Sequence, residues 1–183
     1  MILQLNPQII TQLVSYAIVA GFSISLYTFF HAQTKKPHPK TNKILLIGVF
    51  FGYIFFILSI TLLFRDQTTY NIELDPIASY RRALNAPLHL SLIEIRNLIL
   101  NTAMFVPIGF MLALLFINLN KMYITVILSL LFTLSIELIQ FFTHRGVFAI
   151  EDIIHNTLGA VIGYFLYLLM RHVGRQAGKP RPY

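Results

Sequence analysis

Five apolar runs dominate this chain, at residues 9–30, 44–64, 98–117, 122–142 and 153–170. They are 22, 21, 20, 21 and 18 residues long. A helix rises about 1.5 Å per residue, so roughly 20 apolar residues cross a hydrocarbon core about 30 Å thick. Together the runs take up more than half of the 183 residues, which leaves little chain for anything but membrane-spanning helices. Charged residues are only 11% of the sequence. A soluble domain carries about 25%, so soluble and disordered readings are excluded. The sequence predicts a single all-α membrane domain over 1–183, a polytopic integral membrane helical bundle of about five transmembrane helices. With no cysteine, disulfides, thiol catalysis and cysteine metal sites are excluded as well.

The charges set an expected orientation. Lys35, Lys36, Lys40 and Lys43 follow the first run, Lys121 follows the third, and Arg171, Arg175, Lys179 and Arg181 follow the fifth. No acid lies among them. The other side carries Arg65, Arg81, Arg82, Arg96 and Arg145 together with Asp66, Glu73, Asp75, Glu94, Glu151 and Asp152. The positive-inside rule puts the first set in the cytoplasm. The N-terminus is then outside and the C-terminus cytoplasmic. The net charge of +7 does not point to nucleic acid, because the basic residues sit at helix ends.

The expected map follows: two transmembrane helices within 9–64, an extracellular loop at 65–97, a core at 98–170 and a basic tail at 171–183. The first run holds Gln12, Ser15, Ser23, Ser25 and Thr28. It lacks a basic n-region and a small-residue cleavage site, so it reads as a retained helix rather than a signal peptide. An interfacial first helix with an even number of spans is the alternative. In the outer loop, 77–86 mixes apolar residues with Arg81 and Arg82, the pattern of a helix on the membrane surface. Ser91 and Glu94 have capping-box spacing, which predicts that the third span begins near Leu92.

Only one Asp, Glu, Lys or Arg side chain, Glu137, lies inside a predicted span. A charge near the bilayer centre costs about 2.5–3.5 kcal/mol on insertion scales, so such an acid needs a partner or a purpose. Gln140 shares its helix face, and Arg145 lies just beyond. Asp152 and Asn156 share a face at the start of the fifth span, as Asn97 and Asn101 do on the third. Pro107, near the middle of the third span, frees the carbonyl of Ala103, and Gly109 follows. Gly159 and Gly163 have the spacing that lets helices pack closely or an oligomer form. Asn97, Asn101, Glu137, Gln140, Arg145, Asp152 and Asn156 thus gather at one membrane level, and the opposite halves of these spans look almost wholly apolar.

These residues also carry a resemblance. The segment from Asn101 to Phe110, with Phe105, Pro107 and Gly109, resembles the N-x-x-x-F-x-P-x-G-F segment of VanZ-like proteins. Ser135, Glu137, Leu138 and Gln140 resemble their S-x-E-L-x-Q segment. Arg145, Asp152, Asn156, Gly159 and Gly163 are similar to their R…D-x-x-x-N-x-x-G-x-x-x-G pattern. The resemblance implies a bacterial cytoplasmic-membrane protein of a family linked to resistance against teicoplanin, a lipoglycopeptide that acts at the outer leaflet.

Three function classes are carried forward. A binding protein would hold a membrane lipid, a cell-wall lipid precursor or the antibiotic in an outward polar pocket, with no cofactor. A membrane enzyme would use Glu137 and Asp152 as acid and base. A lipid transporter would need an oligomer, because no internal repeat is visible. A metal site from His144, Glu151, Asp152 and His155 matches no strong ligand spacing, so none is expected. Against all three stands a polar network that only fixes helix packing.

Overall fold

A computed structural model describes residues 15–16, 18–21, 23–24, 27, 39–63, 71–115 and 121–177. Most of the predicted first span, residues 1–8, 31–38, 64–70 and 116–120, and the end of the tail lie outside the described residues. The chain is mostly helical. Helix α1 (Pro39–Leu58) ends in a π-helical turn at Ser59–Leu63. A two-residue strand β1 (Ile72–Glu73) and a short helix α2 (Ala78–Asn85) follow. Helices α3 (Leu88–Leu115) and α4 (Met122–Phe142), strand β2 (Phe148–Ala149) and helix α5 (Ile150–Ala177) complete the order.

Among the described residues, three helices are long and apolar enough to cross a membrane: Leu88–Leu115, Met122–Phe142 and Ile150–Val173. The apolar part of α1 runs from Leu46 to Leu62, a little short of that length. Its end is locally rewound. Ser59 and Thr61 each donate a hydroxyl to the carbonyl four residues back, at Phe55 and Ile57, both at 2.8 Å. Such back-bonding competes with the backbone ladder and accompanies the π turn.

Helix α3 starts four residues before the predicted Leu92. Pro87 sets that start, its carbonyl accepting from Leu90 at 2.9 Å and Ser91 at 3.1 Å. Ser91 is therefore inside the helix and forms no capping box. Its hydroxyl donates to the carbonyl of Ala83 at the end of α2, while Glu94 accepts from Arg82 at 3.2 Å.

The core forms where α3 packs along α5, the most extensive helix contact in the described chain. A Cβ on Gly159 would overlap the carbonyl of Thr102, and one on Gly163 would overlap that of Val106. A Cβ on Gly109 would overlap the carbonyl of Ala160. The glycine face of α5 is therefore occupied by α3 within the same chain. Phe105, Ile108, Met111, Ile57, Ile136 and Ala160 fill the apolar interior.

The contacts also fix relative direction. Asn101 meets Asp152, Thr102 lies at Gly159 and Val106 at Gly163, so α3 and α5 run parallel. Thr133 meets Asn156 and Glu137 meets Ala149, so α4 runs antiparallel to α5. Strands β1 and β2 pair in parallel, Ile72 with Phe148 and Glu73 with Ala149. This pair, which the all-α reading omitted, pins the loop before α2 to the turn between α4 and α5.

Candidate functional site

The end of α1, the N-terminal half of α3, the end of α4 and the start of α5 meet at one level. Local structure first places Arg145. Helix α4 closes with His144 in the left-handed region at φ 55°. His144 N–H donates to the Phe141 carbonyl at 3.2 Å and Arg145 N–H to the Gln140 carbonyl at 2.9 Å. This is the Schellman pattern, with histidine where glycine is usual. The turn sends Arg145 back toward α1, where Nη1 donates to the Leu62 carbonyl at 2.8 Å. Gln140 Nε2 donates to the Thr61 carbonyl at 2.9 Å. These carbonyls belong to the last turn of α1, where the helix dipole is negative. Arg145 and Gln140 thus cap α1 from another helix.

Glu137 does the converse. It is 2% exposed, and its Oε2 accepts the N–H of Ala149 at 2.9 Å. Ala149 immediately precedes α5, whose N-terminus carries the positive end of the helix dipole. That position supplies partial positive charge to the buried acid.

Asp152 and Asn101 are half-buried and joined, Nδ2 of Asn101 donating to Oδ1 of Asp152 at 2.7 Å. One turn deeper, Asn156 is 4% exposed and donates from Nδ2 to Thr133 Oγ1 at 2.8 Å. Its Oδ1 is buried without a hydrogen-bond partner among the described residues. A turn toward the start of α3, Asn97 is exposed. Pro107 and Gly109 lie deeper in α3, buried against the neighbouring helices. Close to Pro107, Tyr53 of α1 donates its hydroxyl to the Met104 carbonyl at 2.9 Å, adding a polar tie at the disrupted turn.

Sequence reasoning missed one polar face, and in a second group it missed the partners of residues it had named. Helix α4 buries Thr125, Ser129, Thr133, Ile136, Glu137 and Gln140. That face is polar along much of the helix, not only at one end. The four-residue spacing from Thr125 to Glu137 carried this signal, but isolated hydroxyls in apolar runs hid it. The second group lies under α2. Glu151 is 2% exposed, and its Oε2 accepts the N–H of Ser79 at 2.9 Å. His155, on the same face of α5, contacts the Tyr80 hydroxyl through Nε2 and Thr102 Oγ1 through Nδ1, both at 3.2 Å. Thr102 also donates to the Leu98 carbonyl at 3.0 Å. Among the described residues, no group of three or more His, Asp or Glu side chains forms a metal cluster.

The arrangement holds buried carboxylates against helix N-termini and a guanidinium against a helix C-terminus. It leaves the Asp152–Asn101 pair half-buried. A search of curated proteins finds no match, nor does one of solved structures. A family model described as VanZ/LLP1 matches residues 43–171, more than half of the chain and nearly all of the helices described above. On that match the chain belongs to the VanZ/LLP1 family.

Proposed function

We propose that this VanZ-family protein, of a family linked to antibiotic resistance, binds a lipid-borne ligand at the outer leaflet of the bacterial plasma membrane. In this reading the chain crosses the membrane about five times, with its N-terminus outside and its C-terminus cytoplasmic. The shared polar end of α3, α4 and α5 then faces outward. The ligand is a membrane lipid, a cell-wall lipid precursor or a teicoplanin-type lipoglycopeptide.

The observation that supports this most is the Asp152–Asn101 pair, half-buried above the unpartnered Oδ1 of Asn156. A headgroup hydroxyl or amide N–H would satisfy that oxygen, and the headgroup's remaining polar atoms would meet Asp152 and Asn101. Glu137, Gln140 and Arg145 hold the helix ends that frame the site. A catalytic acid–base role for Glu137 and Asp152 is less favoured, because Glu137 already accepts a backbone N–H and is sealed from solvent.

The test uses wild type and Asp152→Asn, purified from native membranes with co-purifying lipids identified by mass spectrometry. A lipid or precursor enriched on wild type and lost from the variant, with folding retained, supports the reading. Identical bulk-lipid profiles, with unchanged glycopeptide tolerance in cells, would reject it in favour of a packing network.

A further inference from the structure

The cluster under α2 plays no part in that reading and sits on a different face of α5. Glu151 has one protein contact among the described residues, the Ser79 N–H on Oε2. Oε1 is buried without a partner, and no Lys, Arg or His pairs with this carboxylate among the described residues. Arg82, on the same short helix as Ser79, is committed elsewhere. It reaches Glu73 at 3.3 Å, Glu94 at 3.2 Å and Ser79 Oγ at 2.8 Å. An ionised carboxylate in this setting needs both a hydrogen-bond donor and positive charge. The first turn of α2 supplies one N–H and part of a dipole. The other oxygen has neither.

Chemistry narrows what completes it. A hydroxyl or water would donate but bring no charge. A quaternary ammonium would bring charge but no N–H. A primary ammonium does both. His155 shares the α5 face of Glu151, and Tyr80 of α2 lies tilted against His155 with ring centroids 5.7 Å apart. Helix α2 is the roof. Ile77 just before it, Leu84 within it and Leu88 just beyond its end are all exposed and apolar. An apolar outer face with a carboxylate beneath suits a helix lying at the lipid interface over a headgroup.

We propose that Glu151 Oε1 is the acceptor for a primary ammonium headgroup, captured between α2 and the start of α5. This deepens the lipid-binding reading and rests on it. It adds a second contact point and a headgroup class. The ammonium belongs either to an ethanolamine lipid or to a small amine taken from solution.

The experiment compares wild type, Glu151→Gln and Asp152→Asn in nanodiscs of equal phosphatidylethanolamine and phosphatidylcholine, with retained lipid counted by native mass spectrometry. Gln at 151 keeps an oxygen for the Ser79 N–H, so α2 stays docked. It places an NH₂ donor where the ammonium would donate. A hydrogen bond to a charged group contributes about 1.5–3 kcal/mol, and 1.4 kcal/mol is tenfold. Wild type should therefore favour phosphatidylethanolamine by about tenfold or more, and Glu151→Gln should retain both lipids alike. Displacement by free phosphoethanolamine identifies a headgroup recognised without its tails, and resistance to it identifies the lipid.

Equal retention of both lipids by wild type overturns the ammonium site. If Asp152→Asn then loses both, lipid binding still stands. Preference unchanged in Glu151→Gln overturns the assignment to Glu151. Retention of neither lipid by wild type overturns the site together with the lipid reading.

Discussion

Replacing Glu137 with Gln and with Ala separates charge from hydrogen bonding at the start of α5. Glu137 is 2% exposed and accepts the Ala149 N–H at 2.9 Å. Gln keeps size and an acceptor oxygen but removes the charge. A charged hydrogen bond contributes about 1.5–3 kcal/mol and a neutral one about 0.5–1.5. A partly buried charge at a helix end contributes up to about 2 kcal/mol, and the two effects overlap. Glu137→Gln should therefore lose about 1–2 kcal/mol. Ala leaves a buried N–H unsatisfied and a hole behind it, so Glu137→Ala should lose about 3–5 kcal/mol. Reversible unfolding of both variants in the same lipid mimic would measure the gap. If Gln is as damaging as Ala, the backbone hydrogen bond is not what Glu137 supplies. If Gln is neutral, the dipole argument fails.

Three further outcomes follow from geometry. Gly159→Ala must part α3 from α5 by about 1 Å, because its new Cβ meets the Thr102 backbone rather than a side chain that could swing away. It should cost about 1–3 kcal/mol and loosen the Asn101–Asp152 bond, and unchanged thermal stability would contradict the packing. His144→Gly should stabilise the chain by about 0.5–1 kcal/mol, since the left-handed conformation at φ 55° strains a residue with a Cβ; a fall in stability would show that the imidazole contributes more than the strain. The absence of native cysteine makes orientation simple to test. A thiol at Leu74→Cys should react with an impermeant reagent on intact cells and one at Gly178→Cys should not, and the reverse pattern would invert the proposed topology.

Three of the five expected spans were legible as helices long and apolar enough to cross a membrane, because length and hydropathy alone decide that. The boundaries 122–142 for α4 match the apolar run, since Lys121 and the polar turn after Phe142 bracket it. Helix α3 was harder. Its first residues, from Leu88, continue the helix out of the apolar run, and Pro87 outweighed the Ser91–Glu94 spacing that suggested a later start. The surface helix was visible in the mixture of apolar residues with Arg81 and Arg82, and α2 occupies Ala78–Asn85. The parallel pairing of Ile72 with Phe148 was not visible, because two residues have no periodicity and their partners are far apart in the chain. The convergence of Asn101, Asp152, Asn156, Glu137, Gln140 and Arg145 could be read from helix direction and phase. The individual partners could not. Glu137, Gln140 and Arg145 each bond a backbone group, and every residue type carries those groups.

That last point ranks the polar residues. A chain with so few charges places a glutamate at one helix N-terminus and an arginine at another helix's C-terminus, where partial charges of opposite sign await them. Both side chains are then engaged by the fold itself, and a ligand would have to compete with a backbone for them. Asp152 with Asn101, Asn156 Oδ1 and Glu151 Oε1 differ. The first pair is half-buried and reachable, and the other two oxygens are buried with no partner among the described residues. Glu151→Gln should change headgroup preference while leaving stability close to wild type, whereas Glu137→Gln should lower stability. If the two variants lose stability equally and neither alters lipid retention, both carboxylates are helix anchors and the ligand contacts lie elsewhere.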